Sequence, residues 1–107
     1  PSAIVQEALH FASLHGHIAV ASFLVECGAD VNGVQPVGHH CALPLLQALF
    51  TGVRDHMVEW LLKMGADPRL RDPKREQTAL EFVVSVGNAV QEELVRRVER
   101  ERSGSSL

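Results

Sequence analysis

A short motif that occurs twice constrains the fold of this 107-residue chain more than any other feature. Gly28-Ala29-Asp30 follows an apolar run that ends at Cys27, and Gly65-Ala66-Asp67 follows a second apolar run that ends at Met64. The two glycines are 65 − 28 = 37 positions apart. Recurrence at a spacing of about 20–50 residues indicates structural repeats that stack on one another. We therefore expect a stack of similar units rather than a sheet or a single nonrepeating bundle.

The residues around each motif predict a pair of helices. Apolar residues recur at helical spacing in both runs before the glycines. A glycine at a helix end adopts the left-handed conformation without a steric penalty. Asp30 and Asn32 follow the first glycine, and short polar side chains of this kind hydrogen-bond their own backbone in turns. Shorter apolar patterns precede each run, with Pro44 suited to the first turn of one helix and Thr78 to the N-cap of another.

The pattern as a whole predicts an all-α chain of about six helices. We divide it into unit one (about 2–32), unit two (about 33–68) and unit three (about 69–102), followed by a flexible tail at 103–107. The last helix carries alternating charges, in which Glu92 with Arg96 and Glu93 with Arg97 form pairs at the favourable i, i+4 spacing. A polar outer face of this kind is what the last unit of a stack needs.

The start of unit one admits two interpretations. A helix that begins near Ser2 and continues through Ile4 to Leu9 would be long enough to cover its own edge. Otherwise the edge is open and a missing unit should cover it. We favour the long helix. Because the chain starts with Pro1 rather than Met, we also expect that it was processed, truncated or excised from something longer.

The units resemble the ankyrin repeat. Ala8-Leu9-His10-Phe11-Ala12 is similar to the family's Thr-Pro-Leu-His-x-Ala, and it is followed by Gly16-His17 and by Gly28-Ala29-Asp30-Val31-Asn32. Unit two matches with Leu43-Pro44-Leu45 and Gly65-Ala66-Asp67, whereas unit three is degenerate. The family period is about 33 residues. We place the extra residues of this chain at His39–Ala42 and near Val53.

The resemblance implies an ankyrin-repeat solenoid whose turns and first helices form a concave binding face. It assigns structural motif roles to His10, His17, Gly28, Asp30, Asn32, Gly65 and Asp67. His10 and His17 would hydrogen-bond the backbone between turn and helix. The residues that it places on the concave face, as contacts for a protein or peptide partner, are Gln6, Leu14, His15, Val34, Gln35, Pro36, Val37, His39, His40, Phe50, Thr51, Arg71, Lys74, Arg75, Gln77 and Ser85.

Two features of that face have competing explanations. Phe50 is either a solvent-facing aromatic anchor or a side chain that the local insertion turns inward. The lengthened turn Pro36 to Ala42 is either specialised for a partner or tolerated drift, because a few added loop residues cost little entropy.

Composition limits the function classes. The formal net charge of −3 argues against a general nucleic-acid-binding surface. No apolar run approaches the roughly 18 residues of a membrane span, and the N-terminus carries no signal-peptide pattern. Two cysteines are too few for a disulfide framework, so we expect free thiols and an intracellular, cytoplasmic or nuclear, location. One local group of cations, Arg69, Arg71, Lys74 and Arg75, is interleaved with Asp67, Asp72 and Glu76 and predicts an ordinary charged loop rather than a docking site for nucleic acid or an acidic peptide.

The sequence offers little material for catalysis. His39-His40-Cys41 contains metal-ligand and nucleophile residue types, but adjacent residues rarely converge on one ion or one reacting atom. There is no phosphate-binding glycine loop and no paired catalytic carboxylate. We therefore expect a noncatalytic protein-interaction module without metal, cofactor or small-molecule substrate. The alternatives are a structural subunit packed permanently in a larger assembly and, more remotely, a metal- or thiol-dependent activity at His39-His40-Cys41.

Overall fold

The computed structural model describes residues 3–34 and 41–104, and within this part of the chain it contains six α-helices and no β-strand. The helices are α1 Ala3–His15, α2 Ile18–Glu26, α3 Pro44–Phe50, α4 Asp55–Lys63, α5 Ala79–Val86 and α6 Ala89–Gly104. Each unit contributes two of them, so the predicted all-helical repeat fold is confirmed. The last helix continues through Gly104, past the predicted start of the tail at residue 103.

The repeated glycine motif ends α2 and α4 with the same hydrogen bonds. Gly28 and Gly65 have left-handed φ angles of 103° and 105°. In each copy the following alanine N–H donates to the carbonyl five residues back, at 3.0 Å and 2.9 Å, and the glycine N–H donates to the carbonyl three residues back, at 3.0 Å and 3.2 Å. This pair of bonds satisfies carbonyl groups that a helix end leaves open, which explains why the motif recurs.

The first helices form a row through the stack, because α1 packs on α3 and α3 packs on α5. Each first helix also packs on the second helix of its own unit, and α4 packs on α6. The buried apolar residues form one cluster to which every unit contributes; its largest fully buried members include Leu9, Leu46, Leu49, Met57, Leu61, Val83 and Val95. The units therefore share one continuous core, as stacking requires.

The turns of units one and two are joined through Asn32. Its Nδ2 donates to the carbonyl oxygen of Gly65 at 3.2 Å, and its Oδ1 accepts from the N–H of Asp67 at 2.8 Å. Each turn is also closed locally, because Asp30 accepts from the N–H of Asn32 at 2.8 Å and Asp67 accepts from the N–H of Arg69 at 2.9 Å. The turn roles predicted for these side chains agree with this geometry.

The C-terminal end of the stack is closed by polar contacts. Thr78 and Glu81 form a capping box at the start of α5, as the N-cap prediction for Thr78 requires. Near the end of α6, the Arg102 guanidinium donates to the carbonyl oxygens of Leu62 at 2.9 Å and Ala66 at 3.0 Å, in the last turn of α4 and just beyond it. A cation at a helix C-terminus complements the helix dipole, so Arg102 ties α6 to α4.

One of the two predicted ion pairs on α6 is present. Arg96 donates to Glu92 at 2.8 Å, whereas Glu93 accepts from Arg100 at 2.9 Å rather than pairing with Arg97. Position i+7 lies about two helical turns away on the same face, within the reach of a long arginine side chain. The hydrogen bond from Arg100 lowers the pKa of Glu93.

The expectation that the first helix covers its own edge is wrong. α1 is long, as predicted, but Ile4 and Phe11 on α1 and Val20 on α2 are exposed. The sides of α1 that are buried face α2 and α3. A helix cannot also shield its opposite side, so the leading edge of the stack is apolar and uncovered within the residues described. No helix among them is both long and apolar enough to traverse a bilayer.

Candidate interaction surface

The best-defined feature among the predicted contact residues is the turn that precedes α5, residues 71–77, which we call the unit-three turn. It is built on the buried side chain of Asp72. One carboxylate oxygen accepts the N–H groups of Ala42 and Leu43 at 2.7 and 2.9 Å, and the other accepts those of Lys74 and Arg75 at 2.8 and 3.0 Å. Bonds from several backbone donors to an ionised acceptor are strong. Asp72 therefore fixes the turn to unit two.

The unit-three turn is also closed on itself. An isolated β-bridge joins Asp72 and Gln77, and the N–H of Asp72 donates to the carbonyl oxygen of Gln77 at 2.8 Å. Glu76 has a φ of 58° and is the only non-glycine residue with positive φ among those described. A left-handed glutamate persists only where the surrounding contacts determine the backbone, so the turn has one defined conformation.

Three predicted contact residues are displayed by this turn. Arg71 and Lys74 are exposed and Arg75 is half buried. The Arg71 guanidinium lies 3.4 Å from the carboxylate of Glu81 and also donates to the carbonyl oxygen of Glu76. Arg75 lies over the ring of Phe50, with its guanidinium carbon 4.9 Å from the ring centroid. Arg71 and Arg75 are therefore held in place by neighbours on α5 and α3, respectively.

The environment of Phe50 matches neither of the two explanations completely: the side chain is neither fully exposed nor fully buried. It is half buried and packs against the core, and Arg75 covers part of the remaining ring surface. A cation over an aromatic face stabilises both groups by about 0.5–1 kcal/mol at exposed sites. Phe50 is therefore not a free solvent-facing anchor, although part of its ring reaches the surface next to the unit-three turn.

The Asp72 carboxylate has a role that the sequence does not reveal. The sequence predicts it as one of several loop charges that offset neighbouring cations, whereas the structure buries it against four backbone N–H groups. A single sequence identifies Asp72 only as a polar residue in a turn, because the N–H donors of Ala42 and Leu43 come from a unit about thirty residues earlier.

One of the two motif histidines agrees with its predicted role. His10 is buried, and its Nδ1 and Nε2 each lie 2.9 Å from a carbonyl oxygen, those of Gln6 and Ala42. His17 does not: its side chain is exposed and makes no hydrogen bond that caps α2. Its ring instead lies 6.0 Å from that of His15.

Gln6 has a structural role in place of the predicted partner contact. Its side-chain amide donates to the carbonyl oxygen of Asp30 at 2.8 Å and accepts from the N–H of the same residue at 2.9 Å. These bonds connect α1 to the turn that ends unit one. The amide is therefore already engaged in hydrogen bonds. Glutamine suits this position because its side chain has both a donor and an acceptor.

The remaining predicted contacts are only partly described. His15, Val34, Thr51 and Ser85 are exposed, and Leu14 and Gln77 are half buried. The other predicted contacts lie outside the described residues: Gln35, Pro36, Val37, His39 and His40. The lengthened turn that contains them stays a prediction.

The environment of Cys41 does not favour the thiol chemistry considered for it. Cys41 is buried, and burial raises the pKa of its thiol from 9.0 to about 11, although a hydrogen bond with Arg75 acts in the opposite direction. The thiolate is the nucleophile and the metal ligand, and at neutral pH this thiol stays protonated. Within residues 3–34 and 41–104, no three His, Cys, Asp or Glu side chains are grouped so that they could hold a metal ion.

Comparison with known proteins agrees with the architecture of unit one. Residues 7–34 match the family model described as the ankyrin repeat, a span that covers most of α1, all of α2 and the turn that follows. A search of curated proteins found no match to the chain.

Proposed function

The chain belongs to the ankyrin repeat family, and from this premise we propose that it is a noncatalytic interaction module that binds a protein or peptide partner on its concave face. Ankyrin repeats act generally as protein–protein interaction modules. We assign this face to the turns and to the first helices α1, α3 and α5. We further propose that the module acts inside the cell, in the cytoplasm, where its two free cysteines stay reduced.

The observation that carries the proposal is the rigid display of cations by the unit-three turn. Asp72 fixes the turn through four backbone hydrogen bonds, and Lys74 extends from it into solvent. A surface that is ordered before binding loses less conformational entropy when a partner arrives. The part of Phe50 that reaches the surface lies beside these cations and would add apolar contact.

The proposed division of labour follows from these environments. Arg71 and Lys74 set the orientation of the partner, because exposed charges act mainly on association rate and specificity. Phe50, held between the core and Arg75, provides the partly desolvated contact from which most affinity is expected. His15 and Thr51 extend the same surface along the ends of α1 and α3.

A charge-reversal pair tests the face assignment. Partners captured from native lysate by the full chain are identified, and the affinity of each is then measured against Lys74→Glu and Lys63→Glu. Both lysines are exposed, but Lys63 lies at the end of α4, a second helix. We expect at least a tenfold weaker Kd for Lys74→Glu and no change for Lys63→Glu. The reverse ranking would show that the partner binds the second helices.

A second candidate, a structural subunit in a larger assembly, is favoured by the exposed apolar leading edge of unit one. Size-exclusion chromatography and thermal unfolding of the isolated chain distinguish it from an independent module. A monomer that unfolds in one cooperative transition argues against a subunit that depends on its assembly, whereas aggregation at low concentration argues for it.

A further inference from the structure

One face of α6 lies beside the turn that follows α4 and forms a depression with it. Four α6 residues share this face because they recur at the i, i+3, i+4 and i+7 spacing of a helix. With an arginine of the turn they line a shallow depression of about 340 Å³, and the five residues are Arg69, Arg96, Glu99, Arg100 and Ser103. We call it the Arg69 depression. It shares no residue with the unit-three turn.

The hydroxyl group of Ser103 lies among the cations of the Arg69 depression. The Ser103 side chain is exposed, and its Oγ accepts a hydrogen bond from the guanidinium of Arg69. A guanidinium matches the geometry of phosphate oxygens and can donate to two of them at once. A phosphoryl group on Oγ would bring three acceptor oxygens to a guanidinium that already reaches this atom.

The other two arginines of the depression can also turn toward a phosphate. Arg96 is bound to Glu92 at 2.8 Å and Arg100 to Glu93 at 2.9 Å, and both arginines are exposed. Ion pairs at the surface contribute little to stability. A group with a charge of about −1.5 to −2 therefore competes readily with a single carboxylate for these guanidinium groups.

The residues that precede Ser103 suit an enzyme that adds a phosphoryl group. Arg100 and Arg102 precede it by three and one positions, and protein kinases select their substrates partly by charge pattern. Arg100 is the better recognition residue, because Arg102 donates to the carbonyl oxygens at the end of α4. Ser103 is the last residue but one of α6, where a helix frays and an acceptor hydroxyl becomes accessible.

We propose that Ser103 is a phosphorylation site and that the Arg69 depression binds the phosphate. A protein kinase that recognises arginine ahead of its acceptor transfers the γ-phosphoryl group of ATP to Oγ of Ser103. The hydroxyl proton is released and ADP leaves. The phosphate then joins the end of α6 to the turn after α4 through Arg69. This modification goes beyond the binding function proposed above and does not depend on it.

The place of Ser103 in its helix makes the sign of the effect informative. A negative charge in the last turn of a helix opposes the helix dipole, and Glu99 adds like-charge repulsion from within the depression. Phosphorylation at such a position destabilises the helix end when no cation receives the phosphate. The proposal therefore predicts a gain in stability where the helix dipole alone predicts a loss.

Phosphoserine installed at Ser103 of the full chain by genetic code expansion tests the Arg69 depression. Relative to the unphosphorylated form, we expect the Tm to rise by about 4 °C. Phosphorus NMR should show a phosphate pKa below its usual value, because the guanidinium groups favour the doubly charged form. Arg69→Gln should abolish both effects, and Arg97→Gln, at an exposed α6 position outside the depression, should preserve both. A fall in Tm, or effects that survive Arg69→Gln, would overturn the proposal.

A second experiment, which uses no binding partner, tests Ser103 as the acceptor. The full chain is incubated with ATP and a protein kinase selective for arginine three residues before serine, and mass spectrometry locates the phosphate. We expect phosphate on Ser103, and phosphorylation of Arg100→Gln at least tenfold slower than that of Arg97→Gln. Equal rates for these two variants, or a Ser103→Ala variant that is phosphorylated as fast as the wild type, would contradict the assignment.

Discussion

The two ends of this short stack have opposite surfaces. The C-terminal end is closed by α6, whose outer side carries the ion pairs Glu92–Arg96 and Glu93–Arg100 and whose Arg102 binds the carbonyl groups at the end of α4. The N-terminal end exposes the apolar side chains of Phe11 and Val20. One end of the stack is therefore charged and the other apolar.

The largest expected effect compares a phenylalanine at the N-terminal end with one inside the stack. Phe82→Ala should lower the free energy of unfolding by about 3–4 kcal/mol, because it empties a filled core site, whereas Phe11→Ala should change it by less than about 0.5 kcal/mol. Urea unfolding of both variants measures the difference. Equal losses would mean that Phe11 is covered in solution and that the contrast between the ends is false.

The next test asks how firmly unit three is attached to unit two. Asp72→Ala leaves the N–H groups of Ala42 and Leu43 buried without their acceptor, and we expect a loss of about 3 kcal/mol. Asp67→Ala is the matched control, because Asp67 is half buried and its carboxylate accepts from the N–H of Arg69; its cost should be about 1 kcal/mol. If the two variants were equally stable, the buried carboxylate would not be what joins the units.

The two cysteines allow units one and two to be compared through the pH dependence of stability. Cys27 is exposed in unit one, whereas Cys41 is buried with a thiol pKa of about 11, raised from 9.0. Below pH 9 the thiol is protonated in the folded and unfolded chains alike. Between pH 9 and 11 only the unfolded chain releases the proton, so stability should fall with rising pH by up to about 2–3 kcal/mol.

Chemical denaturation at pH 8 and at pH 10.5 measures this loss. Cys41→Ala should remove the cysteine-dependent part of the decline, and Cys27→Ala should leave it in place. A decline that Cys27→Ala removes, or stability that rises with pH in the wild type relative to Cys41→Ala, would contradict the assignment.

A smaller effect is expected at the closed end. Arg102→Ala removes two donors from the carbonyl oxygens of Leu62 and Ala66, and the free energy of unfolding should fall by about 1–2 kcal/mol. Arg97→Ala, at an exposed position of the same helix, is the control and should be nearly neutral. Hydrogen exchange at the end of α4 would locate the loss, and protection that is unchanged there would show that Arg102 does not close this end.

The smallest effect concerns the exposed ion pairs of α6. Glu93→Gln breaks the contact with Arg100 but leaves both side chains in solvent, so the Tm should stay within measurement error. Differential scanning calorimetry at low and high salt measures it. A clear, salt-sensitive drop in Tm would indicate that these pairs act as a network and stabilise the closed end more than single exposed pairs do.

The elements that are local in sequence could be predicted from sequence. The helix-ending glycines, Pro44 at the start of α3 and Thr78 at the N-cap of α5 each act within a few residues of their own position. Helical spacing of apolar residues predicts the six helices for the same reason. The backbone role of His10 was available through the family motif, because the motif records a contact with another unit.

The features that depend on distant partners could not be predicted. The donors to Asp72 include groups that come from another unit, Gln6 binds a turn twenty-four residues away, and Arg102 reaches the end of α4. His17 matches the motif in sequence, but its side chain makes no hydrogen bond that caps α2. Glu93 forms its ion pair with Arg100 rather than with Arg97. The residues that could contact a partner are the least predictable part. Only exposed side chains can make such contacts, and the packing of neighbouring units determines which side chains are exposed.

The peptide group that joins Ala42 and Leu43 has a consequence for how the stack responds to force. Its N–H, that of Leu43, donates to Asp72 in unit three at 2.9 Å, and its carbonyl oxygen, that of Ala42, lies 2.9 Å from Nε2 of His10 in unit one. One rigid amide thus links the outer units in series across the middle one. We expect strain applied at residues 71–77 to reach α1 over this path.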